Sequence, residues 1–300
     1  MNERTPHSDA PLPGARLPGS LLPEYARRHL QGTVAFAIEE DLGDGDLTAG
    51  LIPEESTATA TILTREQAVL CGSAWAEEVF RQLGGVTLEW HAGDGDLLEP
   101  GTTFCTLRGN TRRILTGERI ALNFLQTLMA TATTARRYAD AVAGTRVTIL
   151  DTRKTLPGLR DAQKYAVLCG GCQNHRLGLY DAFLIKENHI TACGSITDAI
   201  RAAREQGPGK KIIVEVENLD ELREAAALEP DQIMLDNFTP AMIAEAVDLA
   251  PQSALEVSGN CTLEDARALP GNRDLYLSSG ALTKNVQAVD LSLRLLDPPL

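Results

Sequence analysis

The sequence lacks any apolar run approaching the roughly 18 residues that a membrane-spanning helix requires, so no span is expected. The N-terminal stretch MNERTPHSDAPLPGARLPGSLLPE has no continuous apolar core, so a secretory signal is not expected either. Its five prolines predict an irregular tail over residues 1–22. Positive charge is scarce: 28 Lys and Arg stand against 41 Asp and Glu, a net charge of -13. Such an acidic chain is a poor general binder of nucleic acid or anionic membrane, because cation contacts to phosphate dominate those affinities. Cysteine is sparse, and six scattered thiols read as reduced side chains of a cytoplasmic protein. No calcium loop is present, since DLGDGDLT (Asp41–Thr48) and AGDGD (Ala92–Asp96) both miss the required ligand spacing and read as turns.

What is there is an ordinary globular composition, 43% hydrophobic and 23% charged, in a chain long enough for a core without disulfides. Leu21–Glu40 has helical periodicity. Thr57–Leu70 and Val86–Leu107 read as strands broken by turns. Arg112–Val142 reads as one long helix, with Ile114, Leu122, Leu125 and Met129 at helical spacing. The second half changes rhythm. VTIL, AFLI, IIVEV, IMLD, LEV and LYL are short apolar runs, ending at Asp151, Lys186, Glu217, Asp236, Ser258 and Ser278. Helical patterns lie between several of them. Strand–helix alternation of this kind predicts a parallel α/β sheet, and six repeats predict a barrel with fewer elements than the usual eight. In such barrels the C-terminal strand ends carry the chemistry.

A cationic island interrupts the acidic chain. Between Arg146 and Lys186 seven cations face three anions, a net of +4. Several sit at strand ends, which suggests a pocket for a small, highly anionic ligand; on charge alone a solvated basic surface is an equal alternative. Glu217 and Asp236 would face the same cavity, and carboxylates in a phosphate pocket suit a bridging Mg²⁺. Ser258-Gly259-Asn260 and Ser279-Gly280 offer hydroxyls and close backbone approach, as in a phosphate cradle, although each alone resembles an ordinary turn.

Six segments together, DTRKTLPGLRDAQKYAV, GGCQNHRLGLYDAFLIKENHI, VEVEN, IMLDNF, EVSGN and SSGALTK, closely resemble the quinolinate phosphoribosyltransferase family. The resemblance starts near EEDLGDGDLT and runs almost to the C-terminus. It implies an N-terminal α/β sandwich domain over residues 23–130 and an incomplete, six- to seven-stranded parallel α/β barrel over 131–286. Residues 287–300 are expected to pack back onto the first domain. It further implies transfer of phosphoribosyl from phosphoribosyl pyrophosphate (PRPP) to quinolinate with decarboxylation. The expected products are nicotinate mononucleotide, pyrophosphate and carbon dioxide, in de novo NAD biosynthesis, with Mg²⁺ required. By resemblance, Arg153, Lys154, His175 and Arg176 surround quinolinate. Arg119 is donated across a homodimer interface, and a higher oligomer is open. Lys154 and Lys186 neutralise anionic groups, while Glu217 and Asp236 hold the ribose hydroxyls and the metal. These last four are the expected catalytic residues. Ser258, Gly259, Asn260, Ser279, Gly280 and Ala281 receive the 5′-phosphate, and Thr152 lies in the loop of Arg153.

Two other functions compete. One is a related pyrophosphorylase with a different acceptor base; Arg119, Arg153 and Arg176 favour a dicarboxylate instead. The other is a non-catalytic metabolite sensor on the same scaffold, against which Lys186, Glu217 and Asp236 argue. The pair Cys169 and Cys172 lacks the second ligand pair of a structural zinc site and reads as packing. His175 is expected to bind, with proton transfer left open, and His189 to orient the Lys186 loop.

Overall fold

The computed structural model describes residues 22–271 and 273–296, so the expected tail, Leu22 apart, lies outside the described residues. Contacts divide the chain into two units. The first takes residues up to Arg136, then 156–171, then from Asn285 onward; the second takes 137–155 and 172–284.

The first unit opens with α1 (Glu24–Arg28) and α2 (Leu30–Leu42), two helices where periodicity suggests one, with His29 (φ -112°, ψ 0°) at the junction. Then come β1 (Thr57–Thr64), β2 (Ala68–Val69), α3 (Ser73–Leu83), β3 (Val86–Trp90), β4 (Leu97–Leu98), β5 (Thr103–Asn110) and α4 (Thr111–Ala141). Along β1 every second residue from Ala58 to Thr64 is buried, the period of a strand with one face on a core. α3 supplies Trp75, Val79 and Phe80, and α4 supplies Ile114, Leu125, Leu128 and Met129. Each large side chain fully withdrawn from water contributes about 1.5–3 kcal/mol. The sheet is four-stranded and antiparallel.

The second unit and the remaining elements follow as β6 (Val147–Leu150), α5 (Arg160–Cys169), β7 (Ala182–Ile185), α6 (Glu187–Cys193), α7 (Ile196–Gln206) and β8 (Lys211–Val216). After these come α8 (Leu219–Ala227), β9 (Gln232–Asp236), α9 (Pro240–Leu249), β10 (Leu255–Ser258), α10 (Leu263–Ala268), β11 (Leu275–Ser278), α11 (Ala281–Lys284) and β12 (Leu291–Leu295). In the first unit β12 pairs with β1, giving the order β12-β1-β5-β3. The helix α5 also groups with that unit, although the sequence places it in the barrel. Its stripe of Ala162, Tyr165, Ala166 and Cys169 joins the first core, with Tyr165 and Trp75 ring centroids 5.9 Å apart. The boundary between the two compact units, at Arg136, falls inside α4.

The second unit is a six-stranded parallel sheet ordered β6-β11-β10-β9-β8-β7. The first and second strands of the unit stand at opposite edges. A closed barrel would pair them; among the described residues only the bridge Leu150↔Gln173 extends β6 on that side. The sheet is thus an incomplete barrel. Apart from the edge strand β7, its apolar strands are buried along most of their length, as strands covered on both faces are. Register places the inward side chains in tiers. Glu215, Met234, Glu256, Tyr276 and Thr148 share one, and Asp236 and Ser258 lie side by side in the next toward the strand ends.

Candidate active site

Above those tiers, within the second unit, lies a cavity of about 560 Å³. Its cations come from three segments: Arg153 and Lys154 after β6, Arg176 in the loop before β7, and Lys186 just after β7. The loop after β6 is held locally. The Thr152 hydroxyl accepts the Lys154 N–H at 3.1 Å, and the Thr283 hydroxyl donates to the Lys154 carbonyl at 2.7 Å. The loop before β7 is held by Asp151, which is fully buried. Its carboxylate accepts the His175 N–H and the Asn174 amide, each at 2.8 Å. An ordering carboxylate at a strand end thereby sets where His175 and Arg176 stand.

The cations are crowded. Burial first, then the Arg153 charge, pulls the Arg176 guanidinium below its ordinary pKa, with Asp181 working the other way. Arg176 Nη1 also donates to the Ala182 carbonyl at 3.2 Å, which fixes the fork. On the opposite wall Glu215 takes the Lys186 ammonium, and Asp236 accepts the Asn237 amide at 2.8 Å. The Lys186 N–H donates to His189 Nδ1 at 3.1 Å, so His189 orients the turn and lies outside the cavity. Just beyond the end of β8, the Glu217 carboxyl is pushed up, mainly by the charge of Glu187, with burial, Glu221, Asp236 and Glu215 adding to it.

Ser258, Gly259 and Asn260 close one side. Gly259 has φ +132°, and a Cβ there would stand 2.9 Å from Asn237 Oδ1. Gly259→Ala is therefore expected to lower stability by about 1–3 kcal/mol. It should also raise the KM of any ligand whose phosphate rests on this loop. Thermal melts and steady-state kinetics on the variant check both.

Comparison with known proteins follows the same geometry. The model of the quinolinate phosphoribosyl transferase C-terminal domain matches residues 131–294, and that of the N-terminal domain matches 46–129. The chain belongs to the quinolinate phosphoribosyl transferase family. It is 41% identical over 257 residues to a probable nicotinate-nucleotide pyrophosphorylase (carboxylating) of Bacillus subtilis, covering 85% of this chain and 89% of that one. It is likewise 41% identical over 273 residues to the enzyme so named in Mycobacterium leprae, covering 88% and 96%. The nicotinate-nucleotide pyrophosphorylase structure from Francisella tularensis superposes with a TM-score of 0.85 at 43% identity, over 89% and 95% of the two chains.

Among the site residues that the family resemblance implies, the cavity brings together Thr152, Arg153, Lys154, His175, Arg176, Lys186, Asp236, Ser258, Gly259 and Asn260. Glu217 is not among the lining residues; Glu215 takes that place. The strand β8 stops at Val216, and the Glu217 N–H turns to the Glu221 carboxylate at 2.8 Å. Ser279, Gly280 and Ala281 are also absent from the lining, where Ser278 stands instead. Alternation along β11 aims Ser278 inward, while the Ser279 hydroxyl donates to the Cys261 carbonyl at 3.1 Å. Gly280 makes room: a Cβ there would meet Lys154 Cδ at 2.9 Å. Arg119 lies on α4 of the first unit, its side chain 61% exposed and its Nη2 3.8 Å from Glu118.

The cationic island divides in two. Arg153, Lys154, Arg176 and Lys186 line the cavity. Arg146 pairs with Asp274, while Arg160 and Lys164 ride on α5 in the first unit. Of the cysteine pair, Cys169 sits beside Cys71 and Asp94, whose ligating atoms lie within 4.8 Å of one another. Asp94 already accepts the N–H groups of Gly72 and Ser73 and the Tyr165 hydroxyl, and burial pushes both its carboxyl and the Cys71 thiol up. That cluster packs at the start of α3. The acidic turn at Asp46 is a local cap, accepting from the Ala49 N–H and the Thr116 hydroxyl.

Proposed function

We propose that the chain transfers the phosphoribosyl group of PRPP to quinolinate with decarboxylation, giving nicotinate mononucleotide, pyrophosphate and carbon dioxide in de novo NAD biosynthesis. The observation that carries this reading is a pair of mutually repelling guanidinium groups, Arg153 and Arg176, facing one cavity of an acidic chain. Two adjacent carboxylates on an aromatic ring would relieve that repulsion, and the planar forks suit them. Lys154 is placed to neutralise the phosphates or a substrate carboxylate, and Lys186 is held by Glu215 toward the same space. Glu215 and Asp236 are placed for the ribose hydroxyls, and Ser258–Asn260 for the 5′-phosphate.

On this reading the sugar C1–pyrophosphate bond breaks through an oxocarbenium-like transition state while the pyridine nitrogen bonds to C1. The residues position the reactants and stabilise the separating charge. The ring then becomes a pyridinium. Its positive nitrogen stabilises the electron pair left on the adjacent ring carbon when the carboxylate there departs as carbon dioxide, and that carbon then takes up a proton. Glu217 and Asp236 are proposed to hold Mg²⁺ largely through substrate and water, and the ion when bound would neutralise the pyrophosphate. We further propose a homodimer in which Arg119 of one chain serves the cavity of the other. Exposed Phe36, Leu47 and Leu51 support a partner surface on the first unit. Six free cysteines support a reducing, cytoplasmic location, and among the described residues no helix is long and apolar enough to cross a membrane.

Protein, PRPP, Mg²⁺ and carboxyl-labelled quinolinate should together yield labelled carbon dioxide and one nucleotide per pyrophosphate. Nucleotide formed only with another base would replace the acceptor, and binding of both substrates without turnover would overturn the enzymatic reading.

A further inference from the structure

We infer that Glu256 is a positioning residue that locks His175 in the tautomer with its proton on Nε2, so that His175 is a fixed wall of the cavity and not a proton carrier. This takes the cavity as the quinolinate site and adds a residue that touches no substrate.

Glu256 is fully buried, on β10 one inward position below Ser258. Its Oε2 lies 3.2 Å from His175 Nε2 and also takes a hydrogen bond from the Gln232 amide. The Gln232 carbonyl oxygen accepts from Lys211 Nζ at 2.6 Å. At the other end, His175 Nδ1 accepts the Arg176 N–H at 2.8 Å. Both ends of this chain are one-way groups. An ammonium only donates, so Gln232 must turn its carbonyl to Lys211 and its NH₂ to Glu256. A backbone N–H only donates, so Nδ1 must be the acceptor and the ring proton must sit on Nε2, facing Glu256. The two directions meet without conflict at the carboxylate.

The consequence concerns the reaction. After carbon dioxide leaves, the ring carbon holds an electron pair and takes up one proton. His175 could supply it only by turning a nitrogen toward the ligand. Turning Nε2 away would strand a buried carboxylate whose Oε1 already has no hydrogen-bond partner in the described structure. Turning Nδ1 away would release the Arg176 backbone, and with it the guanidinium that grips the dicarboxylate. The proton therefore comes from water or from another group in the cavity, and the ring stays still.

The lock can be read without turnover. In ¹⁵N-histidine-labelled protein, with His175 assigned by the loss of its signals in His175→Gln, two-bond ¹H–¹⁵N spectra at neutral pH should give the Nε2–H pattern. An Nδ1–H pattern or a tautomer average would overturn the lock, whatever the protein's substrate proves to be. Kinetics then test its purpose. Glu256→Met should mix the tautomers and raise the quinolinate KM about tenfold or more, with the PRPP KM and kcat changed less than about threefold. Glu256→Gln keeps an acceptor for Nε2–H and should restore both the spectrum and the KM. A folded Glu256→Met with unchanged quinolinate KM would overturn the positioning role. So would a His175→Gln variant whose kcat falls by about a hundredfold with loss of one limb of the pH profile. If Glu256→Met fails to fold, the wild-type spectrum and Glu256→Gln still decide.

Discussion

Arg176→Ala is expected to raise the quinolinate KM by roughly 30- to 1000-fold while leaving the PRPP KM within about twofold. The figure is that of a desolvated, charge-assisted contact, about 2–4 kcal/mol. The asymmetry between substrates follows from position. Arg176 stands beside Arg153, the cation whose charge weighs on its own, and its fork is already anchored by the Ala182 carbonyl. The proposed phosphate loop, Ser258 to Asn260, belongs to a different strand end, that of β10. Removing one of two repelling guanidiniums also relieves strain in the free enzyme, so the fold should tolerate the change and its melting temperature should not fall. Arg176→Lys should recover only part of the loss, since an ammonium keeps the charge but not the fork. Steady-state kinetics with each substrate varied in turn give the answer. Equal losses for both substrates would remove Arg176 from the dicarboxylate side.

Much of this arrangement is legible in the sequence, because parallel strands that are buried along their length announce themselves as short apolar runs ending in polar residues. The six runs from VTIL to LYL are the six strands of the second unit, and of the polar residues at their ends Lys186, Asp236, Ser258 and Ser278 line one cavity, whereas Asp151 and Glu217 do not. What is not legible is where each strand stops. IIVEV continues into Glu217 without a glycine or proline to mark the bend, so the choice between Glu215 and Glu217 is made by a turn hydrogen bond to Glu221, four residues on. The choice between Ser278 and Ser279 has the same origin. Counting by twos from the inward-facing Tyr276 would have reached Ser278, but a two-serine end gives no reason to prefer either. Asp151 and Glu256 stay hidden for another reason. Their partners, His175 and Gln232, lie 24 residues away in the chain, and a buried carboxylate is recognisable only by what it holds. The helix α5 is the converse case: its heptad-like stripe is plain, but which core it serves depends on tertiary contacts that no local pattern encodes.

Arg119 is where sequence and single-chain structure diverge most, and a mixing experiment resolves it. Arg119→Ala and Lys154→Ala should each lose nearly all activity. Their mixture, after exchange of subunits, should recover about one quarter of the wild-type rate. Half of the randomly formed dimers then pair one chain of each kind. In such a dimer, if sites are shared, one site combines an intact Lys154 cavity with an intact Arg119, while the other lacks both. The geometry motivates the test, because Lys154 lies in the cavity of the second unit and Arg119 is an exposed side chain of the first, on a different element. The Lys154 backbone is held through Thr152 and Thr283, so the residue should keep its place in the cavity when the guanidinium is removed. A mixture that remains inactive while mass measurements show mixed dimers would place each site within one chain, and Arg119 would then be an ordinary solvated helix charge.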